Sequence, residues 1–142
     1  MNRAVMKNWV GQLEKSLRRC YDSRAEDEME ALRALHSVLD AAPPVVTRIF
    51  GRPLTSDRFE KLAELNACET IARELSQPGL IGFLVSGSRE GRYIATVKTG
   101  HSDEEFIGDG KTEALAYSCA LTKAIHRVVS KGERLELKAV ER

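Results

Sequence analysis

Residues 81–125 read IGFLVSGSREGRYIATVKTGHSDEEFIGDGKTEALAYSCALTKAI, runs of apolar and β-branched residues parted by glycines and followed by an alanine-rich stretch. The run over residues 80–86 predicts a strand, and Gly87-Ser88-Arg89-Glu90-Gly91 predicts a hairpin loop. Residues 92–99 predict a second strand, with Tyr93, Ala95 and Val97 on one face and Ile94, Thr96 and Lys98 on the other. Gly100-His101-Ser102-Asp103 predicts another loop, residues 104–107 a short third strand, and Gly108-Asp109-Gly110 a turn into the last helix. Thr112 is the expected N-cap of that helix, which should bury Leu115, Cys119, Ile125 and Val129 and stop at Lys131-Gly132. Leu135, Leu137 and Val140 can then add a terminal strand.

Toward the N-terminus the grammar is helical. Val5, Trp9, Val10, Leu13, Leu17 and Tyr21 recur at three- and four-residue steps and predict a helix near residues 3–21. Ser23 with Glu26 has the form of a capping box for a second helix near 24–41, whose inner face is Met29, Leu32, Leu35 or His36, and Leu39. Pro43-Pro44 end it, and residues 43–54 read as a connector with a short helical turn. Thr55 should cap a third helix reaching about Leu75 and burying Phe59, Leu62, Leu65, Ile71 and Leu75. The expected fold is therefore α+β. An N-terminal helical pair (1–42) and a connector (43–54) precede an α-β-β-β-α domain (55–142) with an antiparallel sheet.

The 142 residues carry 22 Lys and Arg against 21 Asp and Glu, a net charge of +1, and neither half of the chain is strongly biased. Such a balance lacks the electrostatic footprint of a nucleic-acid or anionic-membrane binder. The absence of an 18-residue apolar run or a signal peptide predicts a cytoplasmic protein with no membrane association. Cys20, Cys68 and Cys119 are widely spaced, which fits a reducing compartment. No His lies within five residues of a Cys, so no metal site is expected.

The stretch 81–125 resembles the core of a double-stranded RNA-binding domain in its strand order and in Gly108-x-Gly110 leading to an alanine-rich helix. It also resembles the small phage ABA-sandwich domains, where a hairpin leads to a helix that begins near a Thr and continues Ala, Cys, Ala. Thr112, Ala116, Cys119 and Ala120 follow that spacing, although the hairpin lacks the tryptophan. The RNA-binding pattern implies lysines at the start of the last helix to hold phosphates. Here Glu113 follows Lys111 and Thr112, Tyr117 stands where a later lysine belongs, and the first hairpin lacks the Pro and His of the minor-groove loop. Duplex RNA is therefore disfavoured as a partner.

Several motifs have both a chemical and a structural reading. Gly110-Lys111-Thr112 copies the end of a phosphate-binding loop, but the required glycine five positions earlier is Glu105. Lys123, His126, Arg127 and Lys131 lie at helical spacing and can form an anion-binding stripe or a solvated basic face. Glu104-Glu105 beside His101 can be acid and base, or can blunt an edge strand. Cys119 and His126 are a nucleophile and base by type, but a seven-residue helical step sets them about 10 Å apart. The aromatics Trp9, Tyr21, Phe50, Phe83, Tyr93 and Phe106 read as core.

No catalytic residue, cofactor or metal is assigned. The resemblance implies a non-enzymatic interaction protein of phage or mobile-element type that binds a host protein or a small anionic ligand. Inhibition of a host defence complex is a role within that class. The alternative is a nucleic-acid-binding protein with the RNA-binding-like fold. The candidate ligand or partner residues are Lys98, Lys111, Lys123, His126 and Arg127. Clustering of these cations would favour an anion, and scattering a protein partner. The two N-terminal amphipathic helices predict a protein partner or a homodimer through residues 1–42.

Overall fold

The computed structural model describes residues 3–77, 81–99 and 103–140, with only the backbone described for 81–89 and 132–140. The fold is α+β. Five helices come first: α1 (Arg3–Asp22), α2 (Glu28–Asp40), α3 (Pro44–Phe50), α4 (Ser56–Glu64) and α5 (Cys68–Arg73). Three antiparallel strands follow in the order β1 (Ile81–Arg89), β2 (Arg92–Thr99), β3 (Glu105–Gly110), and α6 (Glu113–Val140) ends the described chain.

The last helix decides the architecture. Residues 114–122 are all buried, so this part of α6 is enclosed on every side, as a helix in the middle of a fold must be. It touches all three strands on one side and α1, α2, α3 and α5 on the others. The result is three layers, with α6 between the sheet and the N-terminal helices. The core is one contiguous cluster drawn from residues 1–42, 43–54 and 55–142 alike. In it Trp9 Nε1 donates to Val38 O at 2.8 Å and ties α1 to α2. His36 is buried, with Nε2 2.7 Å from Leu54 O and its ring stacked on Phe59.

The glycines before α6 have a different task from the one expected. Gly108 and Gly110 lie inside β3, paired with Ala95 and Tyr93, rather than in a turn. A Cβ on Gly108 would meet the Ala120 backbone nitrogen at 2.2 Å and the Ala116 carbonyl oxygen at 2.4 Å. On Gly110 it would stand 2.6 Å from the Ala116 nitrogen. Glycine on the strand and alanine on the helix thus let two backbones approach more closely than any side chain would permit.

Other expectations are corrected by local chemistry. The single third helix is two, because a Schellman motif closes α4: Asn66 N donates to Ala63 O and Ala67 N to Leu62 O, both at 2.9 Å. Asn66 takes the left-handed conformation at φ 53°, and Leu65, expected in the core, is 76% exposed. The segment before the sheet is therefore a helix pair, and the specific α-β-β-β-α order is not seen. Residues 44–50 of the connector form α3, with Pro44 at its first turn. The loop at 87–91 tightens to the two residues Glu90 and Gly91, both at positive φ, as a type I′ hairpin requires. Ser23 makes no capping box; its hydroxyl donates to Arg19 O at 2.5 Å and closes the end of α1. The terminal strand at Leu135, Leu137 and Val140 is absent, since α6 runs on through Gly132 to Val140.

The apolar stripes of α1 and α2 are satisfied within the chain. Trp9, Leu13, Leu32, Leu35 and Leu39 are all buried, leaving Val5 and Tyr21 as the exposed members of the α1 stripe. Tyr21 is not core; the Arg92 guanidinium lies 4.5 Å over its ring. Arg92 also donates to Tyr21 O at 2.8 Å and pairs with Asp109, joining the end of α1 to β2 and β3.

Candidate functional site

Most of the basic residues singled out by sequence are engaged one by one with groups on other parts of the chain. Lys98 lies 3.9 Å from Asp103, both well exposed. Lys123 Nζ donates to the Ile107 carbonyl of β3 at 2.7 Å. His126 Nε2 lies 3.0 Å from Glu14 of α1. Arg127 and Lys131 converge on Glu104, at 3.3 and 2.8 Å, and hold its carboxyl below the usual carboxylate range, Lys131 foremost. The stripe on α6 is thus divided among β3, α1 and the residue before β3. Glu104, the residue that precedes β3, is tied in this way to α6. His101 lies outside the described residues, as does the side chain of Phe83.

Lys111 is different. It is exposed and has no ion-pair partner among the described residues, and it borders an open cleft of about 480 Å³. Four parts of the chain build this cleft: Glu28 at the start of α2, the turn and first residues of α5 (Asn66 to Thr70), Tyr93 of β2, and the junction Lys111-Thr112-Glu113. The Schellman turn places Asn66 and Cys68 at the wall, and the Cys68 thiol lies 3.8 Å from Asn66 Oδ1. Burial first, and then the hydrogen-bonded Glu28 carboxylate, push this thiol up to about 12. Cys68 is therefore not a thiolate nucleophile near neutral pH.

The charge balance of the cleft runs against an anion. Among the described residues, Glu28, Glu69 and Glu113 line it against the one cation Lys111. The end of α6 that faces it already has its own partners: Leu115 N donates to Thr112 Oγ1 at 3.1 Å, and Glu113 supplies negative charge in the first turn. Gly110-Lys111-Thr112 is no phosphate loop, because β3 is an antiparallel edge strand and α6 backbone fills the space beside Gly110. Tyr117, at the position of an expected RNA-contacting lysine, is buried.

No group of three or more His, Cys, Asp or Glu among the described residues can hold a metal ion, and no described helix is long and apolar enough to cross a membrane. The three cysteines are free and buried. Of the cleft, sequence reasoning reached only the Lys111-Thr112-Glu113 corner. The signal for the rest was Asn66, a residue that tolerates the left-handed backbone, following Leu65 in a helical pattern. No family model matches the chain, and neither a curated protein nor a solved structure matches it.

The cap and its neighbour should separate in a stability assay. Thr112→Ala is expected to cost about 1 kcal/mol, the usual loss of an N-cap, while exposed Lys111→Ala should cost almost nothing. Urea melts of the two variants check this; equal losses would contradict the assignment of Thr112 as the cap.

Proposed function

We propose that the chain is a non-enzymatic protein-binding module that takes a basic side chain of a partner protein into the cleft between Glu28, Glu69, Glu113 and Tyr93. The observation that carries this reading is the excess of carboxylates over cations among the described residues that line the cleft, three to one. An ammonium or guanidinium group would meet opposite charge and the half-buried Tyr93 ring, whereas a phosphate would meet repulsion. The engagement of Lys98, Lys123, His126 and Arg127 with groups of the chain itself supports the same choice. The likeness of residues 81–125 to the small phage ABA-sandwich domains supports placing the module among phage or mobile-element interaction proteins, with a host protein as the partner.

Fluorescence anisotropy with labelled octalysine, octaglutamate and a short RNA duplex tests the proposal. Octalysine should bind in a salt-sensitive manner. Glu69→Gln and Glu113→Gln should each weaken it up to about fivefold, the scale of one exposed charge pair. Lys111→Ala should tighten it by removing a like charge. Preferential binding of octaglutamate or RNA, or loss of octalysine binding in Lys111→Ala, would overturn the proposal.

A further inference from the structure

The two edges of the sheet are not alike. β3 is six residues long, carries Glu105 and Asp109, has α1 packed beside it, and gives its Ile107 carbonyl to Lys123. These are the devices that keep an edge strand from pairing with another chain. β1 is nine residues long and reads IGFLVSGSR, with no Lys, Pro, Asp or Glu and one charge at its end. Among the described residues it has β2 on one side and no second strand on the other.

We propose that β1 is where a second copy of this chain adds, the two β1 strands running antiparallel across a two-fold axis to make a six-stranded sheet. A two-fold contact requires a segment that complements itself. Antiparallel pairing centred on Val85 sets Arg89 opposite Ile81, so no like charges face each other in the new ladder. The guarded β3 edges then lie at the two outer sides, and growth stops at two copies instead of continuing into a fibre. This contact leaves α1 and α2 aside, in keeping with the burial of their apolar stripes on the chain's own core. An interface built on one strand pair is small, so the association is weak and concentration-dependent.

Sedimentation velocity between about 10 and about 500 µM, the regime of small interfaces, tests the proposal. Leu84 is the register partner of Thr96 and neighbours Val85, on which the proposed two-fold pairing is centred, so a charge at this position comes close to its own symmetry mate. Leu84→Lys and Leu84→Glu should each raise the dissociation constant at least tenfold, because like charges meet near the axis. Their equimolar mixture should restore association. Hydrogen exchange of the unmodified chain provides a test without substitution: raising the concentration should protect β1 amides and leave those of β3, α1 and α2 unchanged. A monomer across the whole range would overturn the proposal. So would association of either single variant at unmodified strength, or concentration-dependent protection confined to α1 and α2.

Discussion

Gly108→Ala is expected to lower the unfolding free energy by about 3 kcal/mol or more, at the upper end of what overpacking costs, or to leave the chain unable to fold. The added methyl would stand 2.2 Å from a backbone nitrogen and 2.4 Å from a carbonyl oxygen of α6. Neither atom is the tip of a side chain that can swing away. Relief requires α6 to move off the sheet, and α6 cannot move without disturbing the helices packed on its other sides. Gly11→Ala is the matched control: a Cβ there meets nothing within 4 Å, and alanine favours a helix interior by about 1 kcal/mol. The same substitution should thus act with opposite sign at the two positions. Circular-dichroism urea melts measure both, and a Gly108→Ala midpoint equal to that of the unmodified chain would refute the close-packing account.

Alkaline solution should weaken the fold steeply, and the direction follows from the buried thiols. Burial foremost, with Cys119 nearby, pushes the Cys20 thiol up to about 12, and Cys68 is likewise pushed to about 12, against an ordinary value of 9.0. Below pH 9 both states keep these protons and no slope results. Between pH 9 and 12 the unfolded chain releases protons that the folded chain retains, so stability falls as pH rises. Cys20 alone contributes a slope of about 1.4 kcal/mol per pH unit in that window. The buried Tyr117 hydroxyl, also raised by burial, adds to the same trend at higher pH. Urea midpoints from pH 7 to 11 should stay level and then drop, and the drop should flatten in Cys20→Ala and Cys68→Ala. An unchanged slope in the double variant would remove the thiols as its cause.

Some elements are written plainly in the sequence. β2 occupies residues 92–99 as expected, because alternation along a strand covered on one face is a local signal: Ala95 and Val97 are buried and Lys98 is exposed. The helix at 3–21 and the cap at Thr112 are legible for the same reason, each depending on residues a few positions apart. What was misread depends on partners distant in sequence. Gly108 and Gly110 look like turn residues until a helix backbone lies against them. The break at Asn66 lies within a run whose apolar spacing continues across it, so spacing alone assigns Leu65 to the core although it is exposed. The cleft combines residues from Glu28 to Glu113, and no spacing rule joins positions so far apart. The cations of α6 have helical spacing, but their engagement was decided by Glu14, Glu104 and the Ile107 carbonyl on other elements.

The middle position of α6 also sets a timetable for biosynthesis. Neither the five N-terminal helices nor the sheet can cover its apolar face until residues 113–129 are present, because those residues are the surface on which both layers lie. At about 5 to 20 residues per second, a ribosome would hold a nascent chain with uncovered helices and strands for several seconds before that segment emerges. The α1–α2 and strand–strand contacts can form within this interval, but the three-layer core closes only once residues 113–129 are present.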